Sequence, residues 1–256
     1  MKNLSAISFR FSAKLAVGIF FAGMCIAAAA KEKDKAKQPG TDIVDSGAFG
    51  VFTSGTRVAT ETFSIRQNAQ GSVISSQFKS AQGEHSAEQS SELQLTPSVE
   101  LRSYEWKEIS PEKMTATVEP NDAFLIERYT NGTDGKTNDQ NFLLPTSTSI
   151  LDDYFFVQRE VLAWRYLASS CKKDNGTLSC PLHQKVQFGA LNPHARSSLA
   201  VAVEFAGREK LMLHGSEREL NKLLMTSDAG DWALWLDDQF KLVRLVNDGG
   251  TEVVRD

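Results

Sequence analysis

Histidines and paired carboxylates are the side chains of this chain that could support acid–base or metal chemistry. The four histidines are His85, His183, His194 and His214, and no two of them have the spacing that places two ligands on one helix face. A metal site assembled from distant strands is an alternative, but scattered structural and surface histidines are the preferred interpretation. The sequence therefore predicts no metal, no cofactor and no catalytic residue.

Two adjacent acidic pairs, Asp152 with Asp153 and Asp237 with Asp238, do not fit a pattern for general acid–base catalysis. Neighbouring side chains point to opposite faces of a strand and lie about 100° apart on a helix, so neither pair converges on one bond. The sequence also lacks a nucleophile elbow, a phosphate-binding loop, a zinc-protease helix motif and a calcium loop. We therefore expect a protein without enzymatic activity, with a hydrolase whose site is spread across loops as the third-ranked hypothesis.

The cysteines indicate one disulfide bond. Cys25 lies in the N-terminal leader, whereas Cys171 and Cys180 flank a segment with a strong Asn-Gly turn signal. Redox and metal-ligand roles are the alternatives, but the spacing fits neither a redox CxxC pair nor the close cysteine pairs of zinc sites. A structural disulfide between Cys171 and Cys180 is therefore predicted.

Residues 1–30 have the three parts of a secretory signal peptide. A basic start without acidic residues precedes an apolar run at residues 15–27 and a small-residue cleavage signal at residues 28–30. An uncleaved anchor helix is the alternative. Cleavage would leave an exported protein, periplasmic or extracellular, with a flexible tether at residues 31–45 and a single β-rich domain at residues 46–256. Membrane contact is then expected only through the signal segment before cleavage.

The charge of the mature chain argues against nucleic acid as a partner. Without Lys2, Arg10 and Lys14 the chain has 25 basic and 32 acidic residues, a formal charge of −7. The remaining basic run is confined to residues 31–37, within the tether. The partner classes left are a lipid or apolar small molecule, and another protein of the cell envelope.

One helical segment, residues 149–168, lies among short strands and must position whatever site the chain contains. Its apolar residues form three stripes at helical spacing, which predicts a buried helix at about residues 151–168. Ser149 is the expected N-cap. Asp152 and Asp153 are expected in the first turn, beside the positive end of the helix dipole.

Two arginines on this helix need partners if the helix is buried. An arginine removed from water requires a carboxylate or several carbonyl groups. The preferred interpretation is that Arg159 and Arg165 form structural ion pairs, with Glu61 or Glu127 as the candidate partners. The alternative is that they contact an anion or a lipid head group.

Short strands separated by turns occupy the rest of the chain on both sides of the helix. Ser54 with Gly55 is one predicted hairpin turn, and clean apolar alternation in residues 199–205 predicts a strand with one buried face. The predicted fold class is mainly β (α+β), with a curved antiparallel meander wrapped around one central helix.

Two patterns carry a resemblance to a known superfamily. The opening pattern consists of Gly50, Phe52, Gly55, Val58, Glu61, Phe63 and Ile65. The closing pattern consists of Trp232, Trp235, Leu236, Asp237 and Asp238, followed by residues 241–245. They resemble the first hairpin and the last strand–turn–strand of exported bacterial domains of unknown function, whose architecture is similar to the lipoprotein-localisation-factor (half-barrel) superfamily. The resemblance implies a strongly curved sheet that closes over a helix, and better-known relatives hold acyl chains in that concavity.

The leading functional hypothesis is an exported, non-enzymatic envelope protein that binds a lipid-like or apolar ligand in the concavity of the sheet. It rests on the export signal, the resemblance and a surplus of aromatic residues. The candidate ligand-binding residues are Phe63, Trp106, Phe155, Arg159 and Trp164. The alternative is a structural or interaction protein of the envelope whose core is filled and holds no small molecule.

Overall fold

Strands dominate the structure, a computed structural model that describes residues 42–80, 86–174 and 177–256. The first eight strands are β1 (Asp42–Thr53), β2 (Thr56–Asn68), β3 (Gly71–Ser80), β4 (Glu88–Leu95), β5 (Leu101–Ser110), β6 (Thr115–Asn121), β7 (Phe124–Thr130) and β8 (Thr137–Phe142). After them come β9 (Ser149–Ile150), the helix α1 (Val157–Ser170), β10 (Lys172–Asp174), β11 (Thr177–Ser179), β12 (Val186–Asn192), β13 (Ser197–Leu213), β14 (Ser216–Ser227), β15 (Gly230–Leu236), β16 (Leu242–Asn247) and β17 (Thr251–Arg255). The predicted mainly β fold class is confirmed.

Two antiparallel meanders join into one large, open, curved sheet. Strands β1 to β8 form the first meander, and β12 to β17 form the second. The first and last strands of the described chain, β1 and β17, pair with each other and connect the meanders. The edges of the sheet are β8 and β9, and β9 is parallel to its neighbour β12. A separate hairpin consists of β10 and β11.

Side-chain alternation explains why one face of this sheet is buried. In β2 the buried residues Ala59, Glu61, Phe63 and Ile65 alternate with more exposed ones, as a pleated strand requires. The β1–β2 hairpin closes through a two-residue loop in which Ser54 and Gly55 both have positive φ angles, 50° and 77°. This geometry matches the twist of the flanking strands and confirms the predicted turn.

Two apolar clusters lie on opposite faces of the sheet. The larger cluster contains most of the buried side chains of the sheet together with those of the helix. A smaller one is formed by Leu213, Leu220, Trp235 and Val243. Trp235 lies between Leu234 and Leu236 of the main core, and neighbouring strand residues point to opposite faces. The smaller cluster therefore covers the outer face.

The helix begins at Val157, six residues later than about residue 151 as predicted from the sequence. Ser149 belongs to β9, and its hydroxyl accepts a hydrogen bond from Arg165 instead of capping the helix. Asp152 and Asp153 precede the helix, so its first turn contains Glu160 instead. These three predictions were wrong because tertiary contacts hold residues 149–156 in a non-helical conformation. No helix within the described part of the chain is long and apolar enough to cross a membrane.

Cys171 and Cys180 lie at disulfide distance, with their sulfur atoms 2.08 Å apart, as predicted. The bridge connects the residue after the helix to the residue after β11. A disulfide of this kind suggests an oxidising compartment.

We expect both cysteines to resist alkylation until the protein is reduced. Because the bridge closes a short loop, its reduction should lower the free energy of unfolding by somewhat less than about 3 kcal/mol. Mass spectrometry after alkylation, with and without reductant, checks the first expectation, and urea titration checks the second. Free thiols in the unreduced native protein would contradict the bridge.

The predicted tether and the sheet overlap at the start of β1. The signal peptide and most of the tether, residues 31–41, lie outside the described residues, but residues 42–45 belong to β1. Asp45 is buried and contacts Arg255 and Lys241, the latter at 3.1 Å. The last four residues of the predicted tether are therefore part of the sheet.

Candidate functional site

A cavity of about 370 Å³ lies between the segment that leads into the helix and the concave face of the sheet. The leading segment, residues 151–156, forms one side of it together with Arg159 on the first turns of α1. The apolar wall consists of Val51, Phe78, Leu151, Phe156, Leu199, Val201, Met225 and Trp232. The polar side chains that line it are Thr53, Asp153, Tyr154, Arg159, Asn192, Ser227, Asn247 and Thr251. Small-molecule sites are clefts that combine apolar side chains with polar groups, and the volume of this cavity is at the small end of their range.

Asp152 fixes the leading segment against the sheet. Its fully buried carboxylate accepts hydrogen bonds from the Tyr104 hydroxyl at 2.6 Å and from the backbone N–H of Tyr154 at 3.0 Å. Its backbone N–H donates to Gln158 at 2.6 Å. Burial, followed by the Asp152 charge, raises the pKa of Tyr104 well above its ordinary value, so this phenol keeps its proton. A network of buried hydrogen bonds thus positions this part of the cavity wall.

His194 completes this network and forms a dyad with Asp152. Its Nδ1 lies 2.7 Å from the carboxylate, and its ring packs against Trp106 and Tyr154 at centroid distances of 3.9 and 4.7 Å. Within the described ranges its Nε2 is buried and has no hydrogen-bond partner. An aspartate on one imidazole nitrogen is also how catalytic triads orient their histidine. Here the free nitrogen is sealed by protein, so the pair positions the leading segment.

Glu61 replaces the predicted serine cap. Its buried carboxylate, on the inner face of β2, accepts hydrogen bonds from the backbone N–H groups of Phe156 at 2.8 Å and Val157 at 3.4 Å. Ser76 donates a third at 2.6 Å. A negative charge at this position suits the helix N-terminus. Burial nevertheless raises the pKa of Glu61 to about 7, against the lowering effect of these hydrogen bonds.

Arg159 is a buried cation on the wall of the cavity. The residue is 7% exposed, and its guanidinium lies over the rings of Trp232 and Phe156, 4.6 and 5.4 Å from their centres. Its Nη1 donates to the carbonyl of Asp152 at 3.1 Å. The described residues place no carboxylate within ion-pair distance of Arg159, so the predicted pair with Glu61 or Glu127 is not formed.

Arg165 also lacks the predicted carboxylate partner in the described chain. Its guanidinium donates to the Ser149 hydroxyl at 2.5 Å and to the Ser147 carbonyl at 2.7 Å. Both acceptors lie before the helix. This arginine therefore ties the middle of α1 to β9 and to the residues just before that strand.

Glu127 on β7 is buried, and within the described residues neither of its carboxylate oxygens has a hydrogen-bond partner. Burial raises the pKa of Glu127 to about 7, although the charges of Arg196 and His194 act in the opposite direction. The carboxyl is therefore mostly charged only at alkaline pH.

We expect Glu127→Gln to raise the free energy of unfolding at pH 8 by about 1–3 kcal/mol, because the amide removes an unpaired buried charge. The gain should shrink at pH 5, where the wild-type carboxyl is protonated. Urea titrations at both pH values test this, with the exposed Glu92→Gln as the control. A loss of stability at pH 8 would mean that the Glu127 carboxylate makes a stabilising interaction in the folded protein.

Glu160 belongs to a separate buried cluster of charges. Its carboxyl lies 3.9 Å from Nη2 of Arg255, which also contacts Asp45. Burial, followed by the negative charge of Asp45, raises the pKa of Glu160 well above its ordinary value. By contrast, the hydrogen bonds from Arg255 and Lys241 outweigh burial and lower the pKa of Asp45. This cluster anchors the helix to β1 and β17.

The five residues predicted to bind a ligand are not brought together. Of these five residues, Arg159 is the one that lines the cavity of about 370 Å³. Phe63 stacks on Phe49 at 4.7 Å, Trp106 donates to Gln89 at 2.8 Å, and Phe155 is fully buried. Trp164 lines a smaller apolar cavity of about 220 Å³, and its indole N–H donates to the carbonyl of Phe240 at 2.6 Å.

Sequence reasoning missed most of the cavity wall. Leu199 and Val201 were predicted on one face of a strand, and Trp232 was part of the closing pattern, but nothing local linked them to Arg159.

No group of three or more histidine, cysteine or acidic residues in the described ranges could hold a metal ion.

Comparisons with protein-family models, with curated proteins and with solved structures found no match.

Proposed function

We propose that this chain is an exported, non-enzymatic envelope protein that binds a small ligand with an apolar body in the cavity beside the helix N-terminus. In this proposal the sheet is a half-barrel wrapped around α1, and the ligand lies where the leading segment stands away from the concave face. The observation that carries the proposal is the cavity of about 370 Å³, whose lining combines large apolar side chains, among them Phe78, Met225 and Trp232, with the cation of Arg159. The candidate site is therefore Arg159 with the cavity wall, and it excludes the other four aromatic candidates.

The compartment is part of the same proposal. The disulfide at Cys171 and Cys180 suggests an oxidising environment, and the signal-like pattern at residues 1–30 supports export. We place the mature protein in the periplasm or outside the cell. A lipid-like compound is a ligand class available there, and it agrees with the half-barrel resemblance.

The second candidate is an interaction protein of the envelope whose core serves only stability. Its support is the edge strand β8, whose first three residues are exposed. The sheet leaves one side of this strand unpaired within the described chain. An unpaired edge can accept a strand from another protein. Absence of ligand binding in the following test would favour this candidate.

The test is calorimetric titration of the mature protein with decanol, an apolar chain without a charge. Saturable binding is expected for the wild type. Leu199→Trp, which puts a larger side chain into the cavity wall, should weaken binding by about tenfold or more, equivalent to about 1.4 kcal/mol or more. Leu211→Trp is the matched control, because Leu211 lies on the same strand and is also half-buried, but packs in the outer cluster.

Two results would overturn the proposal. One is the absence of saturable binding by the folded wild type. The other is equal weakening by Leu199→Trp and Leu211→Trp, which would place the decanol elsewhere on the protein. Circular dichroism and melting curves of both variants establish that each is folded before binding is compared.

A further inference from the structure

We infer that the cavity selects a single-headed oxyanion amphiphile, with its negative head held by Arg159 and its chain on the apolar wall. This inference rests on the proposed function and deepens it, because a cavity could take an apolar chain without preferring any head group. The protein itself uses few of the hydrogen-bond donors of the Arg159 guanidinium.

A guanidinium has five N–H donors in a planar fork. In the described part of the chain, Arg159 uses one of its nitrogens, in the hydrogen bond to the carbonyl of Asp152. Its neighbours on the other sides are the rings of Trp232 and Phe156, which attract a cation but accept no conventional hydrogen bond. The fork therefore retains donors for a ligand that enters the cavity.

Nearby carboxylates do not neutralise this cation. The charges of Asp153, Asp152 and Glu61 favour the protonated arginine, yet burial outweighs them and lowers the pKa of Arg159. Asp152 is engaged by Tyr104 and His194, and Glu61 by the helix N-terminus. A buried cation without a close counter-ion is costly, and an anionic ligand would relieve that cost.

Asp153 is the competing charge, since it also lines the cavity. It is exposed, however, and its Oδ1 accepts a hydrogen bond from Asn192 at 2.8 Å. Water can screen an exposed carboxylate, whereas the arginine is sealed from water over most of its surface. The buried positive charge of Arg159 therefore determines which head group the cavity prefers, and that head group is negative.

Carboxylate, sulfonate and phosphate heads share the geometry that a guanidinium binds through two parallel hydrogen bonds. The adjoining wall of Leu199, Val201 and Met225 is apolar, and apart from Arg159 and Asp153 the polar side chains that line the cavity are uncharged. This division predicts one charged end and one apolar end, as in an alkyl carboxylate.

The experiment compares four ligands by calorimetry on the same protein: decanoate, decanol, decylamine and acetate. Decanoate should bind about 10- to 100-fold more tightly than decanol, the range expected for charge-assisted hydrogen bonds. Decylamine should bind more weakly than decanol, and acetate should not compete with decanoate. Arg159→Met should remove the preference for decanoate over decanol, whereas Arg159→Lys should keep part of it. Arg165→Met is the matched control on the same helix and should leave the preference unchanged.

The outcomes separate the two claims. If no chain-bearing ligand binds, the proposed function fails. If decanol and decanoate bind equally to the wild type, the cavity stands and the selection of an oxyanion is wrong. Tightest binding of decylamine would assign the deciding charge to Asp153 and overturn the inference. Acetate binding as tight as that of decanoate would show a free-anion site. The comparison of ligands on the wild type remains decisive even if Arg159→Met does not fold.

Discussion

Replacing Phe155 with alanine is expected to lower the free energy of unfolding by about 3–5 kcal/mol, the range for loss of a fully buried aromatic ring. Phe155 has no exposed surface, and it immediately precedes the backbone N–H groups that Glu61 caps. The deletion therefore leaves a void where the leading segment joins the core. Loss of packing there should also increase the mobility of the cavity wall.

Urea titration and melting curves measure this effect. Phe124→Ala provides the control, because Phe124 is 43% exposed and its truncation should change stability by no more than about 0.5 kcal/mol. If the two variants were equally stable, Phe155 would not be a core residue and the described position of the leading segment would be wrong.

The stability of the protein should decrease as the pH rises from about 5 to 8. Glu61 and Glu127 each have an ordinary pKa of 4.5 that burial raises to about 7 in the folded state. Between these values the folded protein binds more protons than the unfolded chain, so stability falls with rising pH. The full contribution is present below the unfolded pKa and is lost as the pH passes through the folded pKa. Each carboxyl contributes roughly 3 kcal/mol across the whole window if the full shift is realised.

Two other buried carboxyls, Glu160 and Asp45, also make the stability depend on pH. Glu160, whose pKa is also raised, adds to the same decrease and extends it to higher pH. Asp45 acts in the opposite direction, since its pKa is lowered from 3.8. Its contribution is present above its unfolded pKa and is lost only as the pH falls through the lower folded value. Stability should therefore be highest near pH 5.

Glu61→Gln tests the assignment of this pH dependence. The amide carbonyl can still accept a hydrogen bond from the Phe156 N–H, but the side chain no longer titrates. The slope of stability between pH 5 and 8 should become clearly shallower than in the wild type. The exposed Glu92→Gln is the control and should leave the slope unchanged. A wild-type stability that rises between pH 5 and 8 would contradict the assignment.

Local patterns were sufficient to predict the sheet. Alternation in residues 199–205 identified the buried face of β13, and the positive-φ loop at Ser54 and Gly55 confirmed the predicted hairpin. The cysteine pair was also predictable, because its spacing excluded the common redox and zinc patterns. Each of these features depends on residues close together in the chain.

The start of the helix could not be predicted in the same way. Ser149 and Asp152 resemble a cap and a first turn when read locally, but β12 pairs with Ser149 and His194 binds Asp152. The group that caps the helix, Glu61, is separated from Phe156 by 95 positions in the chain. Capping by a distant carboxylate leaves no signal near the helix.

The cavity depends on still longer-range contacts. Arg159 was predicted as a candidate because a buried arginine needs a partner. Its aromatic neighbour Trp232, however, lies on β15 in the second meander, far from Arg159 in the chain. The other four predicted residues were chosen as aromatics, and they lie in separate parts of the structure. An apolar surplus predicts a core, and only the packed structure reveals where the core leaves space.

A crystal structure of the mature protein with decanoate would show whether the cavity beside the helix N-terminus holds an anionic amphiphile. We expect the alkyl chain between Trp232 and the wall of Leu199 and Met225, with the carboxylate in contact with the guanidinium of Arg159. A structure in which protein side chains fill this cavity, or in which decanoate occupies a different site, would show that this cavity is not the ligand site.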